Sequence, residues 1–400
     1  MAQAFGSLPS GVLKTPEKFT LRVPDRDVDE LKQLVGLAKI APETFYNQQK
    51  DGRFGINRDW LIGARDAWLK FDWRKHEDRI NSFPNFTAKV DNAEWGTVDI
   101  HFAALFSKRE DAQPIILLHG WPSSFMEFFP VFDLLMKKYT PETLPYHVIA
   151  PSLPGHDLSA KSLPVDLEPM LGVATDCLHQ LMLDLGFGGG YTAHGGDTGS
   201  YVARFMSMKK GCKAFHLNML RAQGEEAGNV EELPPHEAEH LQRANEWSTR
   251  GSFYFMLHGT RPATCGLAFS TSPVALLAWI GEKYQEWADK RNPIPLETIL
   301  EVVSLYWFTD TYAGSIFSYI EVVEGLTSGR RKHIPTSKEI PMGYSAWKAD
   351  LAFMPKEWTE KAYPNLKLYR WHDKGGHFPG HEVPELMLQD LEDFLAIVKG

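Results

Sequence analysis

A carboxylate set between glycines at the end of a strand can act as a nucleophile without first losing a proton to a base. Asp197 is such a residue. It lies in His194-Gly195-Gly196-Asp197-Thr198-Gly199-Ser200, after a strand-like stretch and before the helix-like run YVARFMSM. The Gly195-x-Asp197-x-Gly199 spacing suits a tight strand-to-helix turn that thrusts the central side chain above a sheet. Aspartate is ionised at neutral pH and is further favoured by the helix N-terminus beneath it, whereas a serine there would need activation. Taken alone, the same residue would also serve as an ordinary helix cap. His119-Gly120-Trp121-Pro122 follows the apolar run PIILL, where the Trp121 N–H can form half of an oxyanion hole and the Thr198 N–H the other half. Both motifs fall at the ends of successive predicted strands, where open α/β sheets place their ligands.

Two residues near the C-terminus complete a set. Asp350 lies in SAWKADLAFMP and His377 in KGGHFPGHE, each after a predicted strand, giving the chain order nucleophile, acid, histidine. Asp373 is the rival to Asp350 as the carboxylate that orients His377. His372, Asp373, His377 and His381 crowd one stretch, but they straddle a Gly-Gly loop and offer no i, i+4 helical pair, so no metal is expected. GFGGGY at 186–191 precedes a strand where a dinucleotide loop must follow one, and reads as a turn.

The elements that must position these residues follow from the pattern of apolar positions. From residue 96 short apolar runs (VDIHFAAL, PIILL, YHVIAP, YTAH) alternate with helical ones, the rhythm of a mostly parallel sheet covered by helices on both faces. The rhythm stops near 222, a helical and loop-like stretch runs to 320, and strand-like IPMGYSA and LKLYRW return before a final amphipathic helix. Upstream, helices are predicted over 25–40 and from Asn57 onward. The expected organisation is an N-terminal region over 1–95, a first core part over 96–221, a helical lid over 222–320 and a second core part over 321–400.

Composition narrows the function further. With 42 Lys and Arg against 51 Asp and Glu, the net charge of −9 over 400 residues provides no clustered positive surface for nucleic acid and no polybasic membrane anchor. Cys177, Cys212 and Cys265 are too few and too scattered for a disulfide framework, which suits a reducing compartment. The start MAQAFGSLPSGVLKTPEKF has neither a signal-peptide pattern nor a long apolar run, so a soluble, cytoplasmic protein is expected. The sequon Asn85-Phe86-Thr87 is then an unused coincidence.

HGWP at 119–122, HGGDTGS at 194–200, WKADLAFMP at 347–355 and GGHF at 375–378 together resemble the epoxide hydrolases of the α/β-hydrolase superfamily, in their microsomal-type branch with soluble fungal members. The lid stretches SFYFMLHGTRPATCGLAFSTSPVALLAWIGEKYQEW and SLYWFTDTYAGSIFSYIE and the N-terminal FTLRVPDRDVDELKQL extend the resemblance over nearly the whole chain. It departs from the family at Ser123, where many relatives have Gly, and in the expected lack of a membrane anchor. The resemblance implies an α/β-hydrolase fold, a mostly parallel sheet flanked by helices with an inserted helical lid and an N-terminal wrapping region. It makes Asp197 the nucleophile, His377 the base, Asp350 its partner, and Tyr254 and Tyr319 the pair that holds and protonates the epoxide oxygen, with Tyr306 and Tyr312 as neighbours of the latter. It implies no cofactor, a small lipophilic or aromatic epoxide such as cis-stilbene oxide and water as partners, a detoxifying role and a homodimer. A haloalkane dehalogenase with the same triad, or an inactive binding protein, are the competing expectations.

Overall fold

The computed structural model describes residues 2–222, 226–327 and 334–399. Nine strands form one sheet: β1 Glu17–Phe19, β2 Asn85–Asn92, β3 Gly96–Leu105, β4 Gln113–Leu118, β5 Tyr146–Pro151, β6 Tyr191–Gly195, β7 Cys212–Leu217, β8 Met342–Trp347 and β9 Leu366–His372. Their order across the sheet is β1-β2-β3-β5-β4-β6-β7-β8-β9. The pairings from β1 to β5 are antiparallel, and every pairing from β5 through β4 to β9 is parallel. This is the mostly parallel sheet expected.

The helices preceding the lid are α1 Asp25–Leu37, α2 Arg58–Leu69, α3 Trp73–Ser82, α4 Phe129–Lys138, α5 Leu171–Asp184 and α6 Asp197–Met206. Between β7 and β8, in the stretch expected to form the lid, lie α7 Pro235–Arg250, α8 Phe253–Thr260, α9 Pro262–Phe269, α10 Pro273–Trp287, α11 Leu296–Thr309, α12 Tyr312–Ser315 and α13 Ser318–Thr327, the last running past the expected boundary at 320. After it come α14 Lys356–Ala362, α15 Pro379–Glu382 and α16 Pro384–Lys399.

Burial explains why the central strands read as unbroken apolar runs. Ile115 and Leu117 of β4 pack into one core with Phe132 of α4 and Leu391 of α16. Ile116 and Leu118 pack into the other with Leu178 and Leu181 of α5 and Val202 of α6. A strand with helices on both faces needs apolar side chains at every position.

The sheet also extends further back than the sequence texture indicates. β2 pairs along its whole length with β3, from Asn85 opposite Ala103 to Asn92 opposite Gly96. Only alternate residues of β2, Phe86, Ala88 and Val90, reach the core, so its run NFTAKVDN lacks the continuous apolar signal of the parallel strands. β7 lacks that signal for a related reason, since Lys213 and His216 interrupt CKAFHL. The helix predicted from Asn57 starts there: the Asn57 side chain accepts from the N–H groups of Asp59 and Trp60 and caps α2. That helix reaches across to the lid, where the Trp68 indole donates to Ser304 Oγ at 2.9 Å. GFGGGY is a turn leading into β6. No single helix among the described residues is long and apolar enough to cross a membrane.

Candidate active site

β4 and β6 are parallel neighbours in register, Leu118 opposite Gly195, so the loops that leave them emerge side by side. Asp197 opens α6 with φ of +45°, a left-handed conformation rare outside glycine, which a turn this tight imposes. Gly199 permits the turn, because a Cβ there would lie 2.0 Å from the Leu118 carbonyl oxygen. The Trp121 N–H donates to Asp197 Oδ1 at 2.9 Å, and the Thr198 hydroxyl donates to the same oxygen at 3.1 Å. The Thr198 N–H also donates to this carboxylate. The two predicted oxyanion-hole amides therefore converge on Asp197.

Its other oxygen faces the histidine. His377 Nε2 lies 3.3 Å from Asp197 Oδ2, and His377 Nδ1 lies 2.7 Å from Asp350 Oδ1. Asp350 is buried just beyond β8, and its carboxylate also accepts from the Leu351 N–H at 2.7 Å. Asp373 is elsewhere: it is exposed and paired with Arg291 and Lys348, each at 3.0 Å. His372 contacts Asp390 at 2.7 Å, and His381 is a separate, half-buried residue, so the histidine-rich stretch does not converge. Among the described residues no group of three or more His, Cys, Asp or Glu side chains could hold a metal ion. Cys177, Cys212 and Cys265 are buried free thiols.

The charges follow from these contacts. Burial opposes ionisation of Asp197, but hydrogen bonding and attraction from His377, with the Thr198 and Trp121 amides, outweigh it and hold the carboxyl below its ordinary range. Burial likewise opposes protonation of His377, yet the Asp350 charge and the approach of Asp197 push it up to about 10. The resting pair is thus a carboxylate beside an imidazolium.

The lid supplies the opposite wall. The hydroxyls of Tyr254 on α8 and Tyr319 on α13 are 3.2 Å apart. Their helices meet closely at Gly259, where a Cβ would lie 2.6 Å from the Tyr319 carbonyl oxygen. The Trp121 ring stacks on Tyr254 at 5.4 Å and meets Tyr319 edge-on at 5.8 Å. Burial, reinforced by the Asp197 charge and, for Tyr319, the neighbouring Tyr254, raises both phenols well above their ordinary value and keeps them protonated. The neighbouring tyrosines point elsewhere: Tyr306 reaches the Ser123 carbonyl at 3.4 Å and Tyr312 pairs with His258 at 3.0 Å. Of the other lid aromatics, Phe253 is 63% exposed and Trp279 stacks on Phe269.

Several contributors escaped the sequence reading. Trp287, the last residue of α10, accepts the His377 N–H on its carbonyl at 3.1 Å and sets its ring against the imidazole, so the lid anchors the histidine loop. Arg243 of α7 donates to the Lys348 and Asp350 carbonyls and ties down the acid's loop. Glu127 and Asn218 join Asp197 and His377 around a small cavity. Asn218 immediately follows β7, and recognising that strand would have marked it.

A family model described as the epoxide hydrolase N terminus matches residues 16–128. The structure of Aspergillus niger epoxide hydrolase matches with a TM-score of 0.90 at 46% identity, covering 98% of this chain and 99% of that one. Epoxide hydrolase 1 of Sus scrofa is 28% identical over 95% of this chain and 88% of its own length. The juvenile hormone epoxide hydrolase of Bombyx mori, at 22% identity and a TM-score of 0.84, shares the fold. With this extent of likeness to the Aspergillus niger enzyme, the chain belongs to the epoxide hydrolase family of the α/β-hydrolase fold, hydrolases that act on the ether bond of epoxides.

Proposed function

We propose that this epoxide hydrolase works through a covalent Asp197 ester, with Tyr254 and Tyr319 opening the epoxide and His377, oriented by Asp350, activating water. The observation that carries this reading is the division of labour at one carboxylate. Oδ1 is held by the Trp121 N–H at 2.9 Å, while Oδ2 lies 3.3 Å from His377, whose far nitrogen is 2.7 Å from Asp350.

Asp197 Oδ2 attacks an epoxide carbon and the carbon–oxygen bond of the ring breaks. The two phenols hydrogen-bond the departing oxygen and one gives it a proton, since a free alkoxide is too basic to leave at neutral pH. The new ester is uncharged, so His377 loses one of its two carboxylate partners, and its proton resets the phenolate. Neutral His377 then takes a proton from water as the water oxygen attacks the ester carbonyl carbon. The Trp121 and Thr198 amides stabilise the oxyanion. The ester bond breaks, the leaving alkoxide takes the proton on the oxygen just added to Asp197, and a vicinal diol departs from a restored carboxylate–imidazolium pair.

The aromatic wall of Trp121, Tyr254 and Trp287 supports lipophilic or aromatic epoxides, with cis-stilbene oxide as a suitable probe. The resemblance adds a cytoplasmic homodimer, which light scattering and cell fractionation would check. The decisive experiment is a single turnover in ¹⁸O-water with enzyme in excess. Label is expected in the Asp197 carboxylate and absent from the first diol; label in that diol overturns the covalent route.

A further inference from the structure

The cavity beside Asp197 lies on the sheet side. It is bounded by Ser123, Glu127, Asn218 and His377 together with the nucleophile, and neither Tyr254 nor Tyr319 reaches it. It has room for about one water molecule. Two of its bounding residues carry buried polar atoms without a hydrogen-bond partner among the described residues, Ser123 Oγ and Asn218 Oδ1. His377 also lines the cavity, and its Nε2 has the Asp197 carboxylate 3.3 Å away, a partner that ester formation takes from it. Ser123 and Asn218 are 2% and 4% exposed, so bulk solvent does not satisfy them. Buried polar atoms left unpaired cost free energy, and two of them around one water-sized space mark a site for an ordered water.

Resting on the covalent reading above, we infer that this cavity binds the hydrolytic water, with Asn218 and Ser123 as its positioning residues. A water attacking the Asp197 ester gives one proton to His377 Nε2, and its second proton needs an acceptor. Asn218 Oδ1 is an acceptor with no competing donor. The amide is held in place from two sides: the Asn218 N–H donates to the Gly195 carbonyl at 3.2 Å, and the side chain packs so close to Gly196 that a Cβ there would lie 2.8 Å from it. Glu127 closes the cavity with a carboxyl that burial pushes up to about 7, so part of it is uncharged near neutrality, unlike an exposed carboxylate. Epoxide and water thus approach Asp197 from opposite sides, and the lid can enclose the one without excluding the other.

The test separates the two half-reactions by rapid quench and intact-protein mass measurement with styrene oxide. Asn218→Ala is expected to slow ester hydrolysis by about 10- to 100-fold, the cost of a misplaced reactant, while ester formation stays within about twofold. The alkyl-enzyme adduct then accumulates in the steady state. Ser123→Ala, which removes only a hydroxyl, is expected to shift the same step by about threefold to tenfold and serves if Asn218→Ala does not fold. Asn218→Asp, which keeps the acceptor, is expected to recover most of the hydrolysis rate. Equal slowing of both steps, or hydrolysis at the wild-type rate in both alanine variants, overturns the inference. His377→Gln is the control for the mechanism beneath it. If that variant traps an ester while Asn218→Ala and Ser123→Ala turn over normally, the water site alone falls; if it traps none, the covalent reading falls.

Discussion

Asp197 stands between two walls built by different means. On the sheet side its partners hang from strand ends: the Trp121 amide follows β4, the Thr198 amide follows β6, and Asp350 follows β8 with its carboxylate pinned by the Leu351 N–H at 2.7 Å. On the lid side Tyr254 and Tyr319 come from separate helices and are aligned by ring packing around Trp121 and by the close passage at Gly259. Backbone donors on a sheet hold their geometry whatever the neighbouring side chains do, whereas packed rings move when a neighbour changes volume. In the proposed mechanism the walls also divide the chemistry: the lid side opens the epoxide and the sheet side hydrolyses the ester. Variants should therefore sort by wall.

The largest separation is expected on the sheet side. Asp350→Asn leaves the shape intact but removes the charge that fixes the His377 tautomer, and should slow ester hydrolysis by about 10³- to 10⁴-fold, with adduct accumulating, as loss of the orienting acid does in related triads. Asp373→Asn, immediately after β9 and paired with Arg291 and Lys348, should leave kcat within about twofold. Rapid-quench kinetics on the pair breaks the comparison if Asp350→Asn slows ester formation instead.

Substitutions on the lid side should act on the other half-reaction. Tyr254→Phe and Tyr319→Phe each remove one of two donors to the same oxygen, and each should slow ester formation by about 10- to 100-fold while hydrolysis of a preformed ester is spared. The double variant should lose more than either but less than their product, because each donor compensates for the other. Single-turnover rates with styrene oxide decide this, and a double variant that alkylates at the wild-type rate would remove the tyrosines from the mechanism.

The two walls also differ in how far the sequence reveals them. The Asp197 turn is legible because its constraint is local: glycines two residues to either side meet a geometry no other residue fits. The choice between Asp350 and Asp373 is not legible, since both follow a predicted strand. Only the packing settles which one is buried beside His377 and which meets Arg291 and Lys348 in solvent. The tyrosine pair lies 65 residues apart on two helices, and spacing alone does not select it from thirteen tyrosines; the family resemblance does. Asn218 stayed hidden because Lys213 and His216 disguise the strand before it, and Glu127 because it sits inside an apolar run FMEFF that reads as plain helix.

The smallest effect distinguishes the walls by charge. The sheet side holds an ion pair, Asp197 and Asp350 around a His377 imidazolium, while the lid phenols stay neutral to well above their ordinary value. His377 is raised from 6.5 to about 10: burial disfavours its charge, but attraction to Asp350 and then Asp197 prevails. A group raised on folding adds stability that is complete below its unfolded value and is lost as pH rises through its folded value, so this contribution fades between about pH 6.5 and about pH 10. Other groups titrate in that range too, and the difference between wild type and His377→Gln isolates the imidazole. The melting temperature of wild type is expected to exceed that of His377→Gln near neutrality, with the gap narrowing as pH climbs toward 10 and beyond. Tyr254→Phe should show no such narrowing against wild type, because its phenol does not ionise in that window. A gap between wild type and His377→Gln that stays constant across the range would mean that the imidazole rests neutral. Asp197 would then start the reaction without the imidazolium whose proton resets the phenolate, and the lid would have to draw that proton from solvent.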